Sequence, residues 1–316
     1  MRVSVIVAAY NAAASVGRAL DSVLAQTERD LEVLVVDDAS TDTTAAIVAA
    51  QTRIDPRVRL LRAPVNAGPG VARNIGLAAA QGDWIAILDA DDRFQRDRLE
   101  RLLRLAVDTA ADMVADNLRL CPDGTPSDVV MFPPGWLPDR GWLDPTTFVA
   151  GNTNHRGRTR RGYGYLKPLI RRAFLDAPGL RYDDARFAED YIFLLRCLLY
   201  GARWVVTPVA TYDYSIAARS ATASHRAEDL VHLIVRERHL LDSLGAGGDC
   251  FLRGAMRRHI RSVELALSWF RFAEALKRRD PGSAAAQMIR DPRTLRYILW
   301  QGLVAVPRVL ARLGSA

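Results

Sequence analysis

The chain has 316 residues, 49% hydrophobic and 25% charged, with a formal net charge of +7. This is ordinary for a soluble globular protein, with length for one substantial core and an appendage, and no stretch reaches the ~18–20 uncharged apolar residues of a membrane span. Residues 1–225 carry 27 basic and 27 acidic side chains while residues 226–316 carry 16 and 9, so a neutral body bears a basic tail. Cys121, Cys197 and Cys250 are far apart and odd in number, which excludes a disulfide frame and a zinc knot and fits a reducing cytosol.

The first 115 residues alternate strand and helix signals. Val3–Ala8 reads as a buried first strand rather than a signal peptide, being short and broken by Ser4. Ser15 is placed to cap a helix with apolar positions Val16, Ala19, Leu20, Val23 and Leu24. Strand Leu31–Val36, helix Thr43–Arg53 and strand Val58–Leu61 follow. A Gly/Pro loop, Asn66 to Gly70, opens helix Val71–Ala80. Then come strand Trp84–Leu88, helix Asp97–Val107 and a short strand, Asp112–Ala115. Such alternation, with continuous apolar strands, predicts an α/β fold with a mostly parallel twisted sheet flanked by helices.

Residues 117–161 are irregular and rich in proline, yet keep Phe132, Trp136, Trp142 and Phe148, which suits a substrate-facing excursion. Gly164–Arg172 is strand-like, Glu189-Asp190 opens a helix, and Trp204–Val206 is a last strand. Three helices are expected in the tail: one through Leu230 to Leu244, Phe251–Leu276, and Thr294–Leu313. The division expected is 1–116, 117–225 and 226–316, the last a basic helical tail.

Two strands discharge acids. Leu31–Val36 ends in Asp37-Asp38, and Trp84–Leu88 ends in Asp89-Ala90-Asp91-Asp92. Carboxylates at the carboxyl ends of parallel strands point to a ligand carrying phosphate, metal or both. Asp89 and Asp91 are two apart, so on an extended strand end they face one side, and hard carboxylate oxygens suit Mg²⁺ or Mn²⁺.

Taken in order, Val5-Ile6-Val7-Ala8-Ala9-Tyr10-Asn11, Val35 to Asp42, Gly68–Asn74, Leu88-Asp89-Ala90-Asp91-Asp92 and Ala188-Glu189-Asp190-Tyr191 resemble the family 2 glycosyltransferases. The likeness covers roughly residues 1–215. Ala111–Asn117 and Tyr165–Arg172 look more narrowly like bacterial exopolysaccharide glucosyltransferases of the succinoglycan type. One departure is Ala8-Ala9, where the family often has Pro-Thr or Pro-Ala before Tyr-Asn; no ligand group is lost.

The resemblance implies a nucleotide-diphosphosugar transferase (GT-A type) fold with a C-terminal helical appendage, and inverting transfer of a hexose, by family habit glucose from UDP-glucose. Tyr10 and Asp38 would hold the nucleobase, by stacking and by accepting a base N–H, and Arg73 would reach base or phosphates. Asp91 would bind the metal, with Asp89 on ribose or a metal-bound water and thus a second candidate ligand. Asp190 would take the acceptor proton. Without the resemblance, Glu189-Asp190 is as readily a helix cap.

Glu189, Lys167, Arg156 and Arg158 are further candidates for the acceptor or the diphosphate. The acceptor implied is a saccharide, polyprenyl-diphosphate-linked, met in the cytoplasm at the inner membrane face. Two partners suit the tail: an anionic membrane surface, with Trp269, Phe270, Tyr297 and Trp300 at headgroup depth, or a second copy of the chain forming a homodimer. No nucleic-acid partner is expected. Two other readings stand beside this one: a sugar nucleotidyltransferase, which would want a Gly/Lys-rich loop where Asn11-Ala12-Ala13-Ala14 stands, and a catalytically inactive membrane-associated scaffold.

Overall fold

A computed structural model describes residues 1–122, 124–138, 141–153, 162–216, 226–245 and 249–290. Contacts group the chain into two units, residues 1–152 with 160–224, and residues 153–159 with 225–316.

In the first unit the elements run β1 (Val3–Ala9), α1 (Val16–Leu24), β2 (Leu31–Asp37), α2 (Thr44–Ile54), β3 (Val58–Arg62), α3 (Pro69–Ala79), β4 (Trp84–Asp89), β5 (Arg93–Phe94) and α4 (Arg98–Thr109). They continue as β6 (Met113–Pro122), α5 (Pro145–Asn152), a 3₁₀ turn (Tyr163–Tyr165), β7 (Leu169–Arg171), α6 (Arg172–Asp176), α7 (Glu189–Leu199) and β8 (Trp204–Ile216). The strands form one sheet in the order β3-β2-β1-β4-β7-β6-β8-β5. The block from β3 to β4 is parallel throughout, as continuous apolar strands require. β2 is buried along its whole length and β1 at all but one position.

The second half of the sheet departs from simple alternation. β7 enters antiparallel to both β4 and β6, and β5 pairs antiparallel with β8. β6 runs ten residues, well beyond the short strand expected at Asp112–Ala115, because it pairs with an equally extended β8. The prolines that follow masked its polar end: Arg119 ion-pairs with Asp213 of β8 at 2.7 Å instead of starting a loop. Of Gly164–Arg172 only three residues are strand.

Helix α3 lies flush on β1. A Cβ on Gly76 would sit 2.4 Å from Cγ2 of Ile6, so glycine is what allows the approach, and that approach fixes Arg73 one turn earlier. Ser15 stands at the N-terminus of α1, but its hydroxyl donates to the Ala12 carbonyl and makes no cap bond to the helix.

The second unit contains α8 (Ala227–Ser243), α9 (Cys250–Lys277) and α10 (Pro281–Arg290). Leu230, Leu233, Ile234 and Leu241 of α8 and Leu252, Met256, Ile260 and Val263 of α9 are buried. Inside this apolar set Glu237 of α8 meets His259 of α9 at 2.6 Å. Trp269 and Phe272 touch with ring centroids 6.0 Å apart, and Arg257, Arg258 and Arg271 are exposed. α10 was not foreseen. The helix expected at Thr294–Leu313, with Tyr297 and Trp300, lies outside the described residues. Among the described residues no helix is long and apolar enough to cross a membrane.

Candidate active site

Strand register brings the acids to one rim. Ala9 of β1 is level with Asp37 of β2, and Ala8 is level with Asp89 of β4. Tyr10, Asp38 and Asp91 therefore emerge at the same carboxyl edge, on three neighbouring strands.

The backbone at this rim is unusual. Asn11, Ala39 and Ala188 have φ of 48°, 59° and 56°, a region non-glycine residues avoid, and they adjoin Tyr10, Asp38 and Glu189. Hydrogen bonds hold the turns in place: the Asn11 N–H donates to Ser40 Oγ at 3.0 Å, and Asn11 Oδ1 accepts the Thr41 N–H at 2.8 Å. Tyr10 is half exposed at 50%, leaving its ring available for stacking. Asp38 is buried. Its two oxygens accept the N–H groups of Ala67 at 3.0 Å and Gly68 at 2.8 Å, tying the end of β2 to the Gly/Pro loop.

Arg73 turns inward. Its guanidinium donates to Asp89 Oδ1 at 2.8 Å, to Asp190 Oδ1 at 2.8 Å and to Glu189 Oε1 at 3.0 Å, and lies 5.3 Å from the Tyr182 ring centroid. Its three ion-pair partners among the described residues are all carboxylates. Lys167 meets the same acids from the opposite side, with Nζ 2.8 Å from Asp89 Oδ2 and 2.6 Å from Asp190 Oδ2. Burial alone would raise Asp89, but Lys167 and Arg73 hold it well below the usual carboxylate range. Burial would lower Lys167; Asp190 and Asp89 reverse that and hold it above its ordinary value.

The helix bearing Glu189 and Asp190 is seated on the donor side by its approach segment. Asn74 and Tyr182 exchange two hydrogen bonds, at 2.8 and 2.9 Å, and Tyr182 stacks on Phe193 at 4.0 Å. A Cβ on Gly70 would lie 2.7 Å from the Asp183 carbonyl, which explains the glycine. Asn74 thus clamps α3 to this segment. Glu189 is pushed up by burial and by Asp190.

Asp91 is the exposed member of its run and forms no ion pair among the described residues. Desolvation, then the neighbouring Asp89 charge, raise it above the ordinary range. Asp92 is buried and raised further by burial, Asp89 and Asp91; the Tyr212 hydroxyl and the Ser215 N–H both donate to it at 2.7 Å. The rim thus gathers Asp89, Glu189 and Asp190 around two cations, Arg73 and Lys167, with Asp91 and Asp92 following Asp89 in the chain.

Among the described residues no group of three or more His, Cys, Asp or Glu side chains could hold a metal alone. A divalent ion shared with a diphosphate needs less. Mg²⁺ in such sites keeps several waters and takes one or two protein carboxylates beside the substrate oxygens. Asp91, ionisable, unpaired and facing a surplus of negative charge, fits that part. Asp89 fits it less well, since both its oxygens already face a cation. Arg156 and Arg158 lie outside the described residues.

Sequence reasoning missed the centrality of Lys167, and the signal was there. Of the 43 basic residues only Lys167 and Lys277 are lysine, so a lysine kept in an arginine-dominated chain marks a place where a compact ammonium is wanted. Arg98, Asp116 and Tyr212, which brace the rim from below, gave no such signal.

Comparison with known proteins bears on this arrangement. The family model described as glycosyl transferase family 2 matches residues 4–171. The succinoglycan biosynthesis protein ExoO of Rhizobium meliloti (strain 1021) is 37% identical over 312 residues, covering 98% of this chain and 87% of that protein. ExoU of the same organism is 34% identical over 298 residues, covering 94% and 85%. In fold the chain is similar to S. aureus TarS 1-349, solved in complex with UDP-GlcNAc (TM-score 0.64, 18% identity, 92% of each chain). It is also similar to the mannosyltransferase PcManGT of Pyrobaculum calidifontis, solved with GDP-Man and Mn²⁺ (TM-score 0.60, 20% identity, 98% and 80%). The chain has a GT-A type fold and belongs to glycosyl transferase family 2.

Proposed function

We propose that the protein transfers a hexose, glucose from UDP-glucose, to a hydroxyl of a lipid-linked saccharide during synthesis of a bacterial exopolysaccharide or other surface polysaccharide, with inversion at the anomeric carbon. The observation that carries this reading is the convergence of Asp38, Asp89, Asp91 and Asp190 on one rim of the sheet. Support for the pathway comes from ExoO and ExoU, both named for succinoglycan biosynthesis. TarS and PcManGT, solved with nucleotide sugars, support the donor class.

In this reading Tyr10 stacks on the base, and Asp38, fixed by the Ala67 and Gly68 N–H groups, offers its remaining lone pairs to a base N–H. Asp89, immobilised by Arg73 and Lys167, faces the ribose or a metal-bound water. Asp91 would hold Mg²⁺ or Mn²⁺, which supplies charge neutralisation for the departing diphosphate. Asp190 takes the proton from the acceptor hydroxyl as that oxygen attacks opposite the leaving group. A carboxylate has about four lone-pair sites and the two ion pairs of Asp190 use two of them, so an acceptor hydroxyl still finds a free one. Glu189, Arg156 and Arg158 would serve the acceptor or the diphosphate. The basic helices place the enzyme at the cytoplasmic face of an anionic membrane or against a second copy.

Thermal-shift titration with UDP-, GDP- and dTDP-sugars, with and without Mn²⁺, tests the donor half. A donor at about 100 times its Kd should stabilise the fold by roughly 2.7 kcal/mol, and Asp91→Asn should remove the Mn²⁺-dependent part. Stabilisation by none of the sugars would sink the reading.

A further inference from the structure

We propose that Lys167 is a positioning residue for transfer: by holding Asp190 and Asp89 on one ammonium, it fixes the base carboxylate at a set distance from the donor side of the cleft. The inference rests on the reading of Asp190 as the base.

Arg73 and Lys167 bridge the same two acids from opposite sides. Arg73 takes Oδ1 of Asp89 and Oδ1 of Asp190, and Lys167 takes Oδ2 of each, all at 2.6–2.8 Å. The four groups close a ring in which each carboxylate is gripped at both oxygens, so neither can rotate without breaking a charge-assisted bond. The two cations arrive by independent routes, Arg73 on α3 beside β1 and Lys167 just before β7.

The Lys167 seat is itself braced. Its side chain is 6% exposed, and its carbonyl accepts Arg98 Nη2 at 2.6 Å. Arg98 is in turn locked on Asp116, and Pro168 stiffens the next residue. Without the ammonium, Asp190 would keep only Arg73, which also serves Glu189, and its carboxylate would swing toward that side. The damage would fall chiefly on proton removal, because Asp89 keeps its bond to Arg73 and nucleotide binding draws also on Tyr10 and Asp38.

The test compares Lys167→Met, Lys167→Arg and Asp190→Asn with wild type. Folding is checked by circular dichroism, and UDP and GDP affinities are measured with Mn²⁺. Hydrolysis of UDP-glucose, UDP-galactose, GDP-mannose and dTDP-glucose is followed, using the sugar nucleotide that wild type cleaves fastest. For Lys167→Met we expect KM and nucleotide Kd within about threefold of wild type and kcat down about 10²-fold, the loss that a misplacement of about 1 Å produces. Lys167→Arg, which keeps the charge and shifts it, should lose about tenfold in kcat.

Wild-type kcat in Lys167→Met overturns the proposal. So does a rise in KM and Kd as large as the fall in kcat, which would make Lys167 a donor ligand. Should Lys167→Met not fold, wild-type kcat in a folded Lys167→Arg overturns it equally. Asp190→Asn separates the two readings: full turnover in that variant removes the base assignment, whereas an inactive Asp190→Asn beside an unimpaired Lys167→Met removes only the positioning role.

Discussion

Two buried clusters of arginine and aspartate lie in the same unit, and their difference is instructive. At Arg98–Asp116 one cation meets one carboxylate. Arg98 Nε and Nη2 donate to Asp116 at 3.1 and 2.7 Å, Thr211 donates twice more, and the Phe94 and Tyr212 rings cover the guanidinium at 4.4 and 5.1 Å. Neither side chain is more than 1% exposed. Around Arg73 and Lys167, by contrast, three carboxylates, Asp89, Glu189 and Asp190, meet two cations, and Asp91 stands exposed beside them. The first pair is balanced in charge as it stands; the second has a surplus of negative charge that a bound cation would offset. Stoichiometry separates a brace from a site where residue type does not.

The largest effect that sharpens this contrast is expected from Asp190→Asn. Transfer should fall about 10³-fold, within the range for a general base, with nucleotide affinity nearly unchanged; equal loss of both would make Asp190 structural. At the brace the expected damage is to stability. Arg98→Met leaves Asp116 buried without its cation and should cost about 3–5 kcal/mol in urea unfolding, while replacing both partners by apolar residues should recover most of it. A double variant no better than the single one would break the comparison.

Titration gives a smaller effect of the opposite sign. Asp92 has its pKa raised by burial, then by Asp89 and Asp91, so the folded state holds its proton more tightly than the unfolded chain does. That group therefore penalises stability above its raised pKa, and the penalty fades as pH falls toward about 4, the unfolded value. Asp92→Asn should raise the urea midpoint at pH 7 and lose the advantage near pH 4. No gain at pH 7 would mean that the cluster is better compensated than its contacts indicate.

The smallest effect concerns two alanines with left-handed backbone. Ala110 ends α4 at φ 50°, far from the rim, and Ala188 precedes Glu189 at φ 56°. Glycine at Ala110 should stabilise by up to about 1 kcal/mol with activity unchanged. At Ala188 a similar relief of strain should be accompanied by lower kcat, because the rigid entry of α7 aims Glu189 and Asp190.

The parallel half of the sheet was legible in the sequence because each strand is a continuous apolar run and each helix has its own periodicity. The acids were legible because they end those strands. The remainder depends on pairings distant in sequence. β7 is three residues long, too short to carry a pattern, yet its antiparallel seat against β4 is what brings Lys167 to Asp89. β6 carries Asp116, Asn117 and Arg119, polar residues that read as a loop until their partners Arg98, Phe132 and Asp213 come from elsewhere. The inward turn of Arg73 follows from three acids, two of them more than 110 residues away along the chain.

The reversed direction of β7 has a consequence for how such an enzyme can diversify. β6 finishes, and β7 starts, on the same side of the sheet as the acids, so the sequence that joins them leaves and re-enters the sheet at the edge that carries the site. Insertions there change the surroundings of the site without rethreading a strand. Variation can then proceed by loop exchange while the parallel half of the sheet is inherited intact.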